Sequence, residues 1–360
     1  MVQYYIDRDR YKQNNAANKA PDDIAKICSD LGMTQFNMPC FPKNRGWLYK
    51  KIWMLSVCPY YWSKLEKEVS NGDTIIYQHP MYGNRVVNYF ISRIQRKKHG
   101  RFIAVIHDLE SLRNGVSGIT SPSQKTSELS DNILLKKCDV VICHNKSMKE
   151  YLVQQGFEQE KLIELKIFDY VSDAIRTQPP KCRQPSIAIA GNLAIGKCPY
   201  IYKIFGDDGL QNTNLTVHLY GSNYDVGKAQ NNMAYHGSFT PEELPKHLEG
   251  DFGLVWDGTS AETCAGNTGE YLRYNNPHKT SLYLASGMPV IVWRQAAIAD
   301  FVLENGVGIA VDSLYGLDER IAGISEEDYR NMCENVSRIG TRLRAGYYFR
   351  SAVEECMNRL

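Results

Sequence analysis

Short β-rich runs alternate with longer helical or polar segments along the whole 360-residue chain, and the alternation restarts after the proline-rich stretch Thr177–Pro185. Such alternation specifies parallel sheets covered by helices, because two parallel strands need a crossover long enough to hold a helix. Before the break, strands are expected at Val2–Asp7, Thr34–Met38, Thr74–Tyr77, Phe102–His107, Val140–His144 and Leu162–Ile167. Helices are expected between them at Asp22–Leu31, Asn84–Lys98, Thr126–Lys137 and Ser147–Gln155. After the break, strands are expected at Ser186–Ala190, Leu215–Tyr220, Met233–His236, Phe252–Trp256, Met288–Trp293 and Gly308–Val311. Ser325–Leu343 and Tyr347–Leu360 then show helical spacing with no strand between them. Three prolines in nine residues mark a domain boundary. The expected organisation is an α/β domain over 1–176, a second over 185–345, and a terminal helix over 346–360 that packs back on the first.

Composition narrows the function classes. Forty-two Lys and Arg against 40 Asp and Glu leave a net charge of +2, so no global field draws the chain to nucleic acid, and any anion site is local. The ten cysteines form no CxxC pair, which fits reduced thiols better than a disulfide framework or a zinc site. The first residues hold no apolar signal core, and no 18-residue apolar stretch occurs, so a cytoplasmic protein is expected.

In open parallel sheets ligands bind beyond the carboxyl ends of the strands. Five expected strands, from both halves, end in polar or glycine-bearing pairs: His107-Asp108, His144-Asn145, Gly191-Asn192, Tyr220-Gly221 and Asp257-Gly258. They point to one cleft between two domains. The run Asn275–Ile291 adds an anion site. Asn276 reads as an N-cap and Pro277 as the first helical residue, while His278, Lys279, Thr280 and Ser281 place donors in the first turn, where free N–H groups and the helix dipole favour an anion. Gly287 and Pro289 then end the helix. Gly191–Lys197 follows a strand directly, with glycines for close backbone approach and Lys197 for a phosphate, but lacks the Gly-Lys-Ser/Thr ending of a Walker A loop. With His278-Lys279-Thr280 it makes a diphosphate site.

The strings Phe252–Gly258, Glu262-Thr263-Cys264, Gly269–Leu272 and Asn275–Leu284 resemble the bacterial β-1,6-galactofuranosyltransferase family. Ile106-His107-Asp108, His144-Asn145 with Ser147-Met148, Lys166–Tyr170, Ala190–Leu193 and Gly346–Arg350 extend the resemblance over nearly the whole chain. The related group is the glucosyltransferases that extend glycans on streptococcal adhesins. The resemblance implies the GT-B architecture: two Rossmann-like domains, the first for the acceptor and the second for the nucleotide sugar, with C-terminal helices crossing back. It implies that Asn276, Pro277, His278, Lys279, Thr280 and Ser281 hold the UDP diphosphate. Arg183 or Lys197 would add a cation, Gly191, Asn192 and Tyr220 would complete the nucleotide side, and Asn18 would reach the donor from the facing domain. Leu282 stands where many retaining GT-B enzymes carry a ribose-binding glutamate, so the ribose must be recognised elsewhere.

Glycosyl transfer needs the leaving diphosphate stabilised and, if configuration inverts, a base for the acceptor hydroxyl. Asp108 is the first choice of base, with His107 beside it; Asp7 and Asp9 end another strand. Asp257 and Glu270 are candidate sugar contacts, and Trp256, Tyr82 and Tyr271 candidate stacking residues. Asp7-Arg8-Asp9 has the Asp-x-Asp form of metal-bound nucleotide-sugar sites, but its place after the first strand argues against that role. No metal and no cofactor beyond the UDP-sugar are expected. The expected activity is transfer of a hexose, galactofuranose favoured, from a UDP-sugar to a glycan or lipid-linked glycan in cell-surface polysaccharide synthesis. The alternatives are glucose transfer to a secreted adhesin and a non-catalytic sugar-nucleotide-binding subunit. A lipid-linked acceptor would bring the chain peripherally to the inner face of the membrane; a homo-oligomer is compatible, a nucleic-acid partner is not.

Overall fold

The computed structural model describes residues 2–8, 18–42, 44–115, 129–175, 184–206, 209, 211–230 and 232–360. Arg183, Asp9 and most of the Thr177–Pro185 stretch, all named above, lie outside these. The first six strands are β1 (Gln3–Arg8), β2 (Thr34–Met38), β3 (Thr74–His79), β4 (Arg101–Ile106), β5 (Val140–Cys143) and β6 (Leu162–Glu164). They form one parallel sheet in the order β2-β1-β3-β4-β5-β6. The next six are β7 (Ser186–Asn192), β8 (Thr216–Ser222), β9 (Met233–Tyr235), β10 (Phe252–Val255), β11 (Val290–Trp293) and β12 (Gly308–Val311). They form a second parallel sheet in the order β12-β11-β10-β7-β8-β9. Helices cover both sheets. This is the two-domain GT-B arrangement.

The central strands are buried on both faces, as parallel strands flanked by helices must be. Every residue of β3, β5, β10, β11 and β12 is buried, and Tyr77, Trp256, Trp293, Tyr200 and Tyr283 fill the space between sheet and helix. Tyr283, on the His278–Ala285 helix, lies flat on the second sheet because Gly253 of β10 has no side chain. A Cβ there would come within 2.1 Å of the Tyr283 ring. The Tyr283 hydroxyl also accepts the Ala190 N–H of β7 at 2.8 Å, so one aromatic residue fixes this helix over both β7 and β10.

Strand order reverses at β1/β3 in the first sheet and at β7/β10 in the second, and the crevice beyond such a reversal is where open α/β sheets bind ligands. The ends of β7 and β8 are pressed together: Gly191 pairs with Gly221, both at φ near +140°, and a Cβ on Gly221 would stand 1.7 Å from the Gly191 carbonyl oxygen.

The two domains are joined by the segment after β6. The Asp169 carboxylate accepts the Tyr348 and Phe349 N–H groups at 3.1 and 2.7 Å, capping the Tyr347–Arg359 helix from outside the helix. That helix packs against β5, β6 and the Lys19–Asp30 helix, and Arg359 donates to the Glu160 carbonyl. Burial pushes the Asp169 carboxyl up to about 7, with the two helix N–H bonds opposing. Asp169→Ala leaves two buried N–H groups unpaired, and urea unfolding should show a loss of about 1–2 kcal/mol.

Candidate active site

At the β7/β10 reversal, strand ends and a helix start meet. Lys279, in the first turn of the His278–Ala285 helix, extends its ammonium back over the end of β10, donating to the Trp256 carbonyl at 2.8 Å with Asp257 Oδ2 4.0 Å away. Both side chains are one-fifth exposed. An ammonium has three donors, so Lys279 keeps capacity for an anion after bonding Trp256. Across β7, a Cβ on Gly191 would meet nothing within 4 Å, which leaves its backbone open to close approach. Asn192 Oδ1 accepts the Ala194 N–H at 3.1 Å and folds the following turn, which brings Lys197 and Cys198 back beside the strand. The Cys198 thiol bonds the Asn192 carbonyl at 3.2 Å. Burial raises its pKa, against the pull of the Lys279 charge and, more weakly, of Lys197, with Asp257 adding to the rise.

Several residues of the Asn276–Ser281 run face the other domain rather than this crevice. The helix starts at His278 with Pro277 as its N-cap, so Asn276 is not the cap expected from the sequence. Pro277 favours an extended residue before it, which shifts the start by one position. Asn276 is buried and spends its side chain on the first domain. Its amide donates to the carbonyls of His144 and Lys166 at 2.8 and 2.9 Å, and its oxygen accepts from Asn145 at 2.8 Å. The Ser281 hydroxyl donates to the Phe168 carbonyl at 2.6 Å, and the His278 ring bonds the Asp169 carbonyl at 3.3 Å. Thr280 is fully buried, and its hydroxyl has no hydrogen-bond partner among the described residues. Burial and the nearby Lys19 ammonium push the His278 imidazole down to about 4, and burial does the same to His144. Both rings are neutral at pH 7, so Lys279 alone brings a positive charge from this helix start.

On the first domain, Asp108 follows β4 and reaches the interface. Its carboxyl lies 3.3 Å from Arg113, and the Tyr271 hydroxyl of the second domain accepts the Leu109 N–H at 2.9 Å. Desolvation raises the Asp108 pKa above the ordinary carboxylate range, opposed by Arg113 and by a hydrogen bond to Tyr271. His107 bonds Gln78 at 2.8 Å and stacks on Phe168 with ring centroids 5.7 Å apart. Asn18 heads the Lys19–Asp30 helix beside the same seam, where the Lys19 ammonium meets the Val171 carbonyl at 2.6 Å and the Tyr170 ring.

Other expected residues stand elsewhere. Tyr220 is buried, its hydroxyl accepts the Glu249 N–H at 2.9 Å, and its ring stacks on His236. Trp256 is fully buried and donates to the Ser260 carbonyl, and Tyr271 is buried in the interface, so neither presents a face for stacking. Tyr82 is partly exposed and stacks on Phe41. Glu270 is paired with Arg273 at 2.7 Å. Asp7 accepts from Gln35 at 3.0 Å. Among the described residues, His218, His236 and Glu249 are grouped with metal-ligand spacing. The His218 Nδ1 and His236 Nε2 atoms are 3.1 Å apart, with Glu249 carboxylate oxygens 3.8 and 3.9 Å from the two rings. The sequence reading missed Tyr271 and the Phe168–Asp169 carbonyls as interface groups; the only signal for them was their place in recurring strings.

Residues 3–167 match the family model for the N-terminal domain of glucosyltransferase 3-like proteins, and residues 187–356 the model for the C-terminal domain. The chain is 34% identical over 363 residues to the β-1,6-galactofuranosyltransferase WbbI of Escherichia coli K12, covering 99% of each. It is 25% identical over 334 residues to glucosyltransferase 3 of Streptococcus gordonii, covering 91% of this chain and 90% of that protein. Among solved structures, the apo form of the lipopolysaccharide outer core galactosyltransferase WaaB aligns over all of both chains with a TM-score of 0.58 and 12% identity, a likeness of fold.

Because His278 and His144 are neutral well above pH 5, neither imidazole should add a pH dependence to nucleotide affinity measured by calorimetry between about pH 6 and 8, where the neighbouring Asp169 carboxyl, raised to about 7, titrates. A tenfold weakening that Lys279→Ala leaves in place and His278→Asn removes would put a histidine charge in the site.

Proposed function

The chain belongs to the glucosyltransferase 3-like family, and from that membership we propose that it is a glycosyltransferase that moves a hexose from a UDP-sugar to a glycan acceptor. Galactofuranose is the favoured sugar, and the acceptor is a glycan or lipid-linked glycan of cell-surface polysaccharide synthesis. The observation that carries this reading is that the kinship spans both domains. Transfer needs a donor site and an acceptor site on opposite walls of one cleft, and both walls are matched.

In this reading the diphosphate lies at the β7/β10 reversal, against Lys279, Lys197 and the open backbone at Gly191. This is supported by the cations' position beyond the strand ends and by the spare donors on Lys279. The acceptor oxygen bonds to the anomeric carbon as the bond from that carbon to UDP breaks. The acceptor proton passes to Asp108, whose raised pKa suits a general base, and UDP leaves with its negative charge against Lys279. Asp257 is left to meet sugar hydroxyls. Glucose transfer to an adhesin is the second reading, favoured by the match to the streptococcal enzyme.

Purified protein given UDP-galactofuranose or UDP-glucose with an alkyl glycoside acceptor should form product with the first. Product only with UDP-glucose selects the second reading, and UDP binding without turnover of either donor selects a non-catalytic subunit. Asp108→Asn should lower kcat by roughly 100-fold or more and leave UDP affinity unchanged. In the wild type the acid limb of the rate profile should fall at a pH above the ordinary carboxylate value of about 4. Lys279→Ala should weaken UDP binding by about 1–3 kcal/mol, and unchanged affinity would remove Lys279 from the diphosphate site.

A further inference from the structure

After β2 the chain forms the helix Trp47–Ile52, which continues through a wider π-turn at Trp53–Val57 into the helix Cys58–Glu68. None of the residues 47–57 is buried. Trp47 is 73% exposed and Leu55 70%, with Leu48, Tyr49 and Ile52 each more than half exposed and Tyr60 continuing the patch. Only Trp53 of this stretch is packed against the core, and a monomer rarely leaves so many large apolar side chains together in water.

The charge around it is one-sided. Residues 31–65 contain Lys43, Arg45, Lys50, Lys51 and Lys64 and no Asp or Glu. Over residues 31–107 there are twelve Lys and Arg against three Asp and Glu, although the whole chain carries only +2. The cations lie on the apolar face itself: the Arg45 guanidinium is 5.8 Å from the Tyr49 ring centroid and the Lys51 ammonium 5.8 Å from that of Trp47. The far end of the segment is anchored. Trp53 packs edge-on against Phe41, which stacks on Tyr82, and these residues with Arg8 and Met38 line a small cavity at the ends of β1 and β2.

We propose that Trp47–Val57 is a membrane-docking helix that lies in the headgroup layer of an anionic phospholipid bilayer. Aromatic and aliphatic side chains interleaved with Lys and Arg match that layer, which is apolar below and negatively charged above. A second copy of this chain fits worse, because self-pairing would set Arg45, Lys50 and Lys51 against their own like charges. The helix follows the carboxyl end of β2, the edge strand of the acceptor-side sheet, so docking would hold that end of the sheet against the lipid. Docking itself does not rest on the transferase reading, and vesicle binding reads it without turnover.

The test is co-sedimentation of the full chain with vesicles of phosphatidylcholine alone and of phosphatidylcholine with about 25% phosphatidylglycerol. The wild type should partition at least about tenfold more onto the anionic vesicles, with the excess reduced in high salt. Trp47→Ala with Leu55→Ala, and separately Lys50→Glu with Lys51→Glu, should each lower that partition about tenfold. Circular dichroism and activity on a water-soluble acceptor should be unchanged, since these side chains touch neither core nor cleft. Equal binding of wild type and both variants would overturn the proposal. So would absence of vesicle binding together with a dimer, seen by light scattering, that the Trp47/Leu55 variant dissolves.

Discussion

The architecture depends on one strap, the residues Lys166–Tyr170 that leave the first sheet after β6 and supply hydrogen-bond acceptors to the second domain. The Lys166 carbonyl takes the Asn276 amide, the Phe168 carbonyl the Ser281 hydroxyl, and the Asp169 carbonyl the His278 ring. The Asp169 carboxylate holds the start of the terminal helix, and the Tyr170 hydroxyl donates to the Pro241 carbonyl at 2.6 Å. Lys166 itself sits at φ 71°, a left-handed conformation that a lysine adopts at some cost and that these bonds hold in place. These groups are largely desolvated, so each unmade bond would cost more than each made bond contributes. The relative placement of the two domains is therefore strongly specified at this seam.

That seam divides the labour along the His278–Ala285 helix. Asn276, His278 and Ser281 face the strap, while Lys279, one residue on, turns toward the end of β10. A helix advances about 100° per residue, so neighbouring positions serve different walls of the same cleft. Tyr283 beneath them, laid on Gly253, keeps the helix from rolling. The cleft thus combines a rigid join with one cation held over the strand ends. This is the kind of preorganisation that stabilises a leaving diphosphate.

Much of this was legible in the sequence. Among the described residues the twelve strands fall where they are expected: the buried ones, such as Gly308–Val311, are continuous apolar runs, while Thr34–Met38 is an edge strand that buries only Phe36 and Met38, and both agree to the residue. Asn84–Lys98 does as well, because its apolar positions recur at helical spacing. Thr126–Lys137 formed a π-turn and a 3-10 turn over its described part instead of a regular helix. The run Gly191–Lys197 led into a 3-10 helix, Pro199–Lys203, where a longer helix would follow a phosphate loop. The helix Trp47–Val57 gave no periodic signal because, apart from Trp53, its large apolar residues do not face the core. At the site, the types of Asn276, His278 and Ser281 were readable as donors, but their acceptors lie more than 100 residues earlier in the chain. Pairings at that distance leave no local pattern. Trp256 stands just beyond β10 as read, whereas Tyr220 lies inside β8, which runs on to Ser222, and burial, which sequence position does not reveal, takes both side chains into the core.

The central claim is that the nucleotide diphosphate sits at the β7/β10 reversal on Lys279, with Asn276 and Ser281 serving the domain seam. A crystal structure of the complex with UDP tests it most directly. The account predicts diphosphate oxygens within about 3 Å of Lys279 Nζ and beside the Gly191 backbone, with the Asn276–Lys166 and Ser281–Phe168 bonds intact. Diphosphate bound by the Asn276 and Ser281 side chains, with those bonds broken, would contradict it.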